Sequence, residues 1–488
     1  MPSHFQILGV ALIGLVLFKS CDKAPKYAKP SVATPPAYKE LTPDTFKETN
    51  DWKFARPNDA VIRGKWWEMF NDPQLNSLEE QLNTANQNIA LADANFRVAR
   101  ALVKESRSQY FPTVTTSPSI IVSRSSGATN SNFSAGRQNT IYTLPFDATW
   151  EPDFWGRIRN SVVASASEAQ ATAADLQNVR LTVEAELAFD YYQLRSLDAE
   201  KRLLDTTIAA FQQQLELTRV RFQTGIASDE DVAQAETQLK TTEAQATDLG
   251  VARAQFEHAV AVLTGQPPST FSLAVSQGNA QPPAIPVGLP SQLLERRPDV
   301  AAAERRVAEA NAEIGVTKAA FFPSLTLGAT GGLESTSIAT WFTWPARFFS
   351  LGPTLSQTLF DKGRRRAATE VARAQYDANV ASYRQTVLTA FQEVEDNLAA
   401  LSILSHELDE QNDAVASSQR ALSLATERYK SGIDSYLNVI TAQTTLLNNQ
   451  RTAVNLQMQQ MTASVELIKA LGGGWNESEL PSQKQLAK

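Results

Sequence analysis

One cysteine and three histidines are all the thiol and imidazole that 488 residues carry. His4, His258 and His406 are far apart and share no ligand spacing, so neither a zinc cluster nor a Ser/His/Asp set can be assembled. No enzyme, metal or cofactor is expected. Basic residues are not concentrated anywhere, and the net charge is −7, which argues against a nucleic-acid partner. No stretch approaches 18 consecutive apolar residues, so no helix is expected to span a bilayer. Hydrophobic content of 43% with 20% charged residues still allows a large core.

Glycine and proline are missing from two long stretches, Arg157 to Thr224 and Arg364 to Ser431, 68 residues each. Each opens after a glycine followed by basic residues, Gly156-Arg157-Ile158-Arg159 and Gly363-Arg364-Arg365-Arg366. Each closes on a matching phrase, Arg221-Phe222-Gln223-Thr224-Gly225-Ile226 and Arg428-Tyr429-Lys430-Ser431-Gly432-Ile433. The spacing predicts two helices of roughly 100 Å at 1.5 Å per residue, about three times a bilayer's hydrocarbon core. A part this long, built twice, is suited to bridging a large distance.

The rest of the chain follows the same duplication. The apolar run Ile7 to Phe18 suits the core of a signal peptide spanning 1–20. Ser20 before Cys21 resembles a lipoprotein cleavage site, which would leave Cys21 as a lipidated, palmitate-bearing first residue; ordinary signal cleavage is the other reading. An extended, proline-rich segment fills 21–64. Repeat 1 occupies 65–266. A helix starts at the cap Asp72-Pro73 and runs to about Ser108. A β-hairpin with a polar tip follows at about 113–152, then the long helix at about 157–224, then a return helix to about Leu263. A linker covers 267–290. Repeat 2, at 291–472, has a helix from Ser291 to Phe322-Pro323, a hairpin at about 324–360, the second long helix at about 364–431 and a return helix Ile433–Leu471. A tail of 473–488 remains. Phe111-Pro112 and Phe322-Pro323 are offset by 211 where the glycines are offset by 207, so the first hairpin is four residues longer. Insertions gather at exposed tips, so the difference is expected there.

Apolar residues recur every seventh position at Ile440, Leu447, Val454, Met461 and Ile468, and at Val380, Val387, Val394, Leu401 and Leu408. Such ladders predict left-handed coiled-coil packing. The first return helix holds Ala233, Lys240, Thr247, Ala254 and Ala261 at the equivalent places, which implies closer approach or another neighbour. Gln443, Gln450 and Gln457 form a polar stripe, either a solvated outer face or the lining of a water-filled interior. Two hairpins give four strands, too few to close a barrel, and an open edge cannot face lipid. A chain placing them in a membrane must oligomerise. Aromatics at the hairpin ends, from Tyr110, Phe111, Trp150 and Trp155 to Trp341, Trp344 and Phe348, fit belts at two membrane interfaces.

The segment Trp66-Trp67-Glu68-Met69-Phe70-Asn71-Asp72-Pro73-Gln74-Leu75 resembles the opening signature of TolC-type outer membrane efflux channels, in their lipoprotein (NodT/OprM-like) branch. Gly288-Leu289-Pro290-Ser291-Gln292-Leu293-Leu294-Glu295-Arg296-Arg297-Pro298-Asp299 is similar to that family's mid-chain hallmark. Ala310-Asn311-Ala312-Glu313-Ile314-Gly315, leading on to Phe322-Pro323-Ser324-Leu325, extends the match. The resemblance implies a mainly α fold with β: a duplicated repeat forming a trimeric α-helical coiled-coil tunnel joined to a 12-stranded transmembrane β-barrel, four strands per chain. It implies a passive, gated conduit for small molecules across the periplasm and outer membrane. The implied partners are two further copies, a periplasmic adaptor, an inner-membrane pump of the RND type and outer membrane lipid. A periplasmic or surface coiled-coil structural protein is the alternative.

The resemblance further implies that the tunnel closes where the long helices end. Arg221, Gly225, Asp229, Asp231, Arg428, Tyr429, Gly432 and Asp434 are then the candidates for gate and adaptor docking. TolC-like channels place acids on the second return helix; the matching positions here are Asn438 and Thr441, which leaves Asp231 and Asp434 to form any ring of carboxylates.

Overall fold

The computed structural model describes residues 24–41, 64–124, 126, 138–275, 281–285 and 293–486. Helix α1, Pro73–Ala85, starts at Asp72, whose carboxylate accepts from the amides of Gln74 (2.9 Å) and Leu75 (3.2 Å). One helix was expected from here to Ser108. The chain instead breaks at Asn86, and α2 runs Gln87–Ser108. Asn86 is extended and buried, and its side chain does two jobs that a helical residue could not. Its oxygen caps the amides of Asn88 and Ile89, and its amide donates to the Leu263 carbonyl at 2.9 Å. That carbonyl belongs to the end of the first return helix, where backbone acceptors lack intrahelical partners.

Strands β1 (Thr113–Thr116), β2 (Ser119–Arg124) and β3 (Gln138–Trp150) come next, then the long helix α3 (Arg157–Gln223) and the return helix α4 (Asp229–Leu263). A single turn at Leu293–Arg296 precedes α5 (Pro298–Ala319). Repeat 2 continues with β4 (Ser324–Ser335), β5 (Arg347–Ser356), α6 (Arg364–Lys430) and α7 (Tyr436–Ala470). Helices α3 and α6 have 67 residues each, and α4 and α7 have 35 each, so the two repeats match in length. No helix among the described residues is long and apolar enough to cross a membrane.

All strands form one antiparallel sheet in the order β1-β3-β4-β5, with β2 also on β3. β1 and β2 share one register on β3, and the gap between them places Ser117 and Pro118 opposite Pro145 and Leu144. Two prolines at neighbouring rungs remove two amide donors, so the ladder lapses there without a shift of register. The hairpins open on equivalent pairs, Thr113 with Thr149 and Ser324 with Ser356. From there the register runs over twelve positions to Arg124–Gln138 in the first hairpin and over ten to Leu333–Arg347 in the second. The four extra residues therefore add two rungs at the far end of the first hairpin, rather than lengthening the tip itself.

Beneath the sheet, α2 packs on α3, α3 on α5 and α5 on α6, while the return helices α4 and α7 lie along α3 and α6. The heptad ladders of repeat 2 face inward: Val387, Val394, Leu401, Leu447, Met461 and Ile468 are buried, with Val380, Leu408, Ile440 and Val454 half-buried. The first return helix differs from expectation. Ala233, Lys240 and Thr247 are exposed, and the packed seam is Ala235, Leu239, Thr242 and Ala246, in alternating steps of four and three. A two-position shift rotates the helix by about 200° at 3.6 residues per turn, which is why the equivalent-position argument failed there.

The junction between the two repeats is the β3–β4 pair, and Gly332 is its tightest point. A Cβ there would sit 2.1 Å from the Leu144 carbonyl oxygen and 2.9 Å from the Pro145 Cα. Gly332→Ala is expected to destabilise the sheet by roughly 1–3 kcal/mol and to lower the yield of heat-stable oligomer extracted from membranes. Gly352→Ala, where nothing lies within 4 Å, should keep wild-type yield; a heat-stability gel of both variants checks this.

Candidate functional site

Apart from Arg347 and Phe348 at the far end of β5, strands β3 to β5 present one largely apolar and one largely polar face. Cross-strand rows Phe146–Gly331–Phe349 and Ala148–Ala329–Leu351 lie on the first, with Leu144, Leu327, Leu333 and Leu355. Thr143, Asp147, Thr149, Thr330 and Ser350 lie on the other, where the Thr330 hydroxyl donates to Asp147 at 2.7 Å. Phe349 is 81% and Leu351 72% exposed in the single chain. An apolar row open on one side and a polar row behind it is the alternation of a strand between lipid and a wet lumen. Aromatics bound the apolar band. At its base Trp150 donates to the Tyr110 carbonyl (2.9 Å), and Trp155 donates to the Pro323 carbonyl (2.7 Å) and stacks on Phe322 at 4.8 Å. At the far end Trp341 packs on Tyr142 and Phe342 at 5.6 and 4.9 Å. Tyr142 and Trp150 are eight residues apart on β3, roughly 26 Å at 3.3 Å per residue, which matches an apolar band of about 25 Å.

About 100 Å away along the helices, the four helix ends meet. Both long helices stop alike: Gly225 and Gly432 have φ of 76° and 74°, Ile226 N donates to Arg221 O (2.8 Å) and Ile433 N to Arg428 O (2.9 Å). Phe211, Leu215, Leu239, Tyr429, Tyr436 and Val439 form a small separate core just behind these turns. Arg221 ties the repeats together: its guanidinium lies 4.6 Å from the Tyr429 ring centre and donates to the Lys430 carbonyl at 3.0 Å. Tyr429 is buried against Tyr436, 5.2 Å away, and its hydroxyl has no hydrogen-bond partner among the described residues, so its ring makes the contacts. Burial, with Tyr429 and Asp231 nearby, pushes the Tyr436 hydroxyl up to about 12. The acids have local duties. Asp231 completes a capping box with Ser228 (3.0 and 3.2 Å), and Asp434 accepts from Arg428 (2.8 Å) and Asn438 (3.0 Å). Asp229 is exposed in the first turn of α4.

The glutamine stripe divides. Gln450 and Gln457 are half-buried, but Gln443 is 8% exposed. Gln443 sits in the seam of α7 between Val439 and Leu446. Cys21 lies outside the described residues.

The quoted sequence motifs hold the waist of the molecule, a role that spacing alone did not reveal. Trp66 is buried and donates to Glu184 (3.1 Å), which also accepts from Asn83 (3.0 Å). Asp72 caps α1 and accepts from the Tyr191 hydroxyl (2.7 Å). Arg297 is buried and pairs with both oxygens of Asp299 (3.0 and 2.7 Å), with Glu393 (2.6 Å) and with the Ala470 carbonyl (3.2 Å). It thereby joins α5, α6 and the end of α7. Glu79 is fully buried near Glu184, and among the described residues neither of its carboxylate oxygens has a hydrogen-bond partner. Burial, then the Glu184 charge, holds its pKa well above the usual carboxylate value.

Comparison with known proteins adds independent findings. The profile of the outer membrane efflux protein family matches residues 71–266 and 289–473. The toluene efflux pump outer membrane protein TtgF of Pseudomonas putida is 32% identical over 98% of each chain. The pyoverdine export outer membrane protein OpmQ of Pseudomonas putida is 31% identical over 91% of this chain and 94% of its own. The solved outer-membrane channel OprN superposes with a TM-score of 0.85 at 29% identity, covering 93% of this chain and all of its own.

The state of Glu79 has a consequence for stability. A carboxyl whose folded pKa is raised stabilises fully below its unfolded value and loses that contribution as pH rises toward the folded one, by at most about 1.4 kcal/mol per pH unit. Glu79→Gln should therefore raise the thermal midpoint at pH 8 relative to wild type and leave it nearly unchanged at pH 4. Melting curves at both values check it.

Proposed function

This chain belongs to the outer membrane efflux protein family, and we propose that its export path is gated where α3 and α6 end and is completed by two further copies of the chain. It is an outer membrane efflux channel with a helical tunnel and a β-barrel, and not an enzyme. The observation that carries the trimeric reading is that the same flanks are unfinished in both layers. The sheet ends on β1/β2 at one side and β5 at the other, and below them α2 and α6 are the outermost helices. Both helices expose apolar side chains there: Leu91, Val98 and Leu102 on α2, Val371, Leu388 and Ile403 on α6. Three copies joined edge to edge give twelve strands and leave no edge for lipid.

The pump supplies the energy, and this chain supplies a conduit. An adaptor in the periplasm and an inner-membrane pump of the RND type are the partners this reading assigns. The tip exposes Phe222, Ile226, Ile433 and Leu437, an apolar rim suited to adaptor docking. The division into repeat 1 (65–266), linker (267–290) and repeat 2 (291–472) gives each hairpin its own strut. Gln450 and Gln457 remain lumen candidates. Cys21 is the proposed lipid anchor: Pro25 is held by Asn311 (2.9 Å) on the last part of α5, three turns or fewer below the sheet, so an acyl chain on Cys21 would reach the inner leaflet. Mass spectrometry of the mature N-terminus, finding an acylated Cys21, checks this; an unmodified start elsewhere refutes it.

The gate assignment predicts that Arg221→Ala loosens the tie between the repeats. Loss of a partly exposed cation–π contact and a charged hydrogen bond is worth roughly 1–2 kcal/mol, or about tenfold in the open-to-closed ratio. Single-channel recordings in planar bilayers should show higher open occupancy for Arg221→Ala. Tyr429→Phe should record as wild type, because only the ring is engaged. Unchanged open occupancy in Arg221→Ala would remove Arg221 from the gate.

A further inference from the structure

A cleft of about 510 Å³ opens between the end of α5 and the start of α6, lined by Lys318, Phe321, Phe322, Arg366, Glu370 and Arg373. Phe321 and Phe322 lie just before β4 begins at Ser324, so the cleft sits at the foot of the sheet, beside the base aromatics. Its charge is one-sided: three cations against one carboxylate. Among the described residues none of Lys318, Arg366 and Arg373 has a carboxylate within ion-pair distance, whereas neighbouring Arg365 is bound to Asp361 at 2.6 Å. Arg365 also fixes the floor, with its guanidinium 5.4 Å from the Phe321 ring centre. Arg364, Arg365 and Arg366 occupy the first turn of α6, which holds no acid. Cations are disfavoured at that end of a helix dipole, and among the described residues Arg366 gains no carboxylate to offset this. Farther along α6, a second cleft is lined by Ala28 to Ser31 together with Tyr376, Val380 and Arg384.

We propose that this cleft binds the phosphate headgroup of an anionic phospholipid from the inner leaflet of the outer membrane. The proposal rests on the reading of the sheet as a membrane barrel, which places the cleft at headgroup depth. Arg366 and Arg373, one turn pair apart on α6, face the phosphate from one side and Lys318 from the other, while the Phe321–Phe322 floor meets the glycerol and first acyl carbons. The volume falls within the usual range of small-ligand sites, about 300–1,000 Å³. Basic side chains at an anionic leaflet attract it by charge, and aromatic rings favour the same depth. One lipid per protomer would clamp α5 to α6 where the strut meets the barrel.

The test is native mass spectrometry of the full-length detergent-solubilised protein, titrated with phosphatidylglycerol. Wild type should retain one lipid per protomer. Arg366→Gln with Arg373→Gln should lower the affinity about tenfold or more, from two lost surface cations. Arg366→Lys with Arg373→Lys should retain most of it, and Arg384→Ala, farther along α6 and outside the cleft, all of it. No lipid on an intact wild-type oligomer would overturn the proposal and give the cleft to a neighbouring copy. Equal binding by wild type and the glutamine pair, or an equal loss with Arg384→Ala, would also overturn it. Displacement of the lipid by millimolar inorganic phosphate would make the cleft a free-anion site instead. Planar-bilayer conductance of the glutamine pair separates the two readings: unchanged channels with lost lipid binding sustain both, whereas absent channels in wild type sink the underlying one.

Discussion

A backbone amide at the edge of a sheet needs a partner, and lipid offers none. That requirement shapes the whole chain. Four strand positions leave two edges open, β1/β2 and β5, and the helices below leave two flanks open, α2 and α6. Edges and flanks coincide because each helix continues directly from, or into, the strand above it. Closing the sheet therefore closes the helical layer in the same step. The duplication follows from this geometry: every copy of the repeat contributes one hairpin and one strut to a common ring. Struts in a common wall must end at one plane, and α3 and α6 are equal in length.

The two ends of the strut solve opposite problems. At the membrane end the chain needs rigidity, supplied by Trp155 stacked on Phe322 and by the aspartates capping each long helix. Asp153 accepts from the amides of Ile158 and Arg159, and Asp361 from those of Gly363 and Arg365. At the periplasmic end the proposed gate needs a contact that can be released. There the tie between repeats is one guanidinium on one ring and one carbonyl, with a small core behind it that is separate from the main one. Between them the waist is fixed by buried charge. Arg297 finds two carboxylates and a carbonyl from three segments, while Glu79, with no hydrogen bond, is the group whose burial costs stability.

Much of the fold was legible because periodicity and punctuation are local properties. The glycine- and proline-free runs marked the long helices to within a residue, since nothing inside them could end a helix and a glycine stood at each boundary. The Phe-Pro steps marked where helix turns to strand. Legibility failed wherever a distant group decided the outcome. Asn86 divides an amphipathic run because the Leu263 carbonyl needs a donor, and no local pattern records that need. Ala233, Lys240 and Thr247 were assigned by position and lie outside, because the first return helix is rotated against its neighbour. Gln443 belonged to a convincing polar stripe, yet its burial depends on which neighbours close over α7. At the tip, Arg221 and Tyr429 were recognised from their place beside Gly225 and Gly432, but their mutual contact spans the two repeats and was visible only once folded.

By itself, then, the order of residues determined the duplicated architecture, the lengths of the struts and the positions of their turns. These depend on backbone conformational preference and on residue type, which act over a few positions at a time. The tertiary structure alone decided which of two equivalent seams is packed, which carboxylates are capped, paired or stranded, how the two hairpins register across Pro145 and Gly332, and where unpaired positive charge gathers at the foot of the barrel. Each of those turns on side chains separated by tens to hundreds of residues, whose approach is set by the packing of whole helices rather than by any local preference.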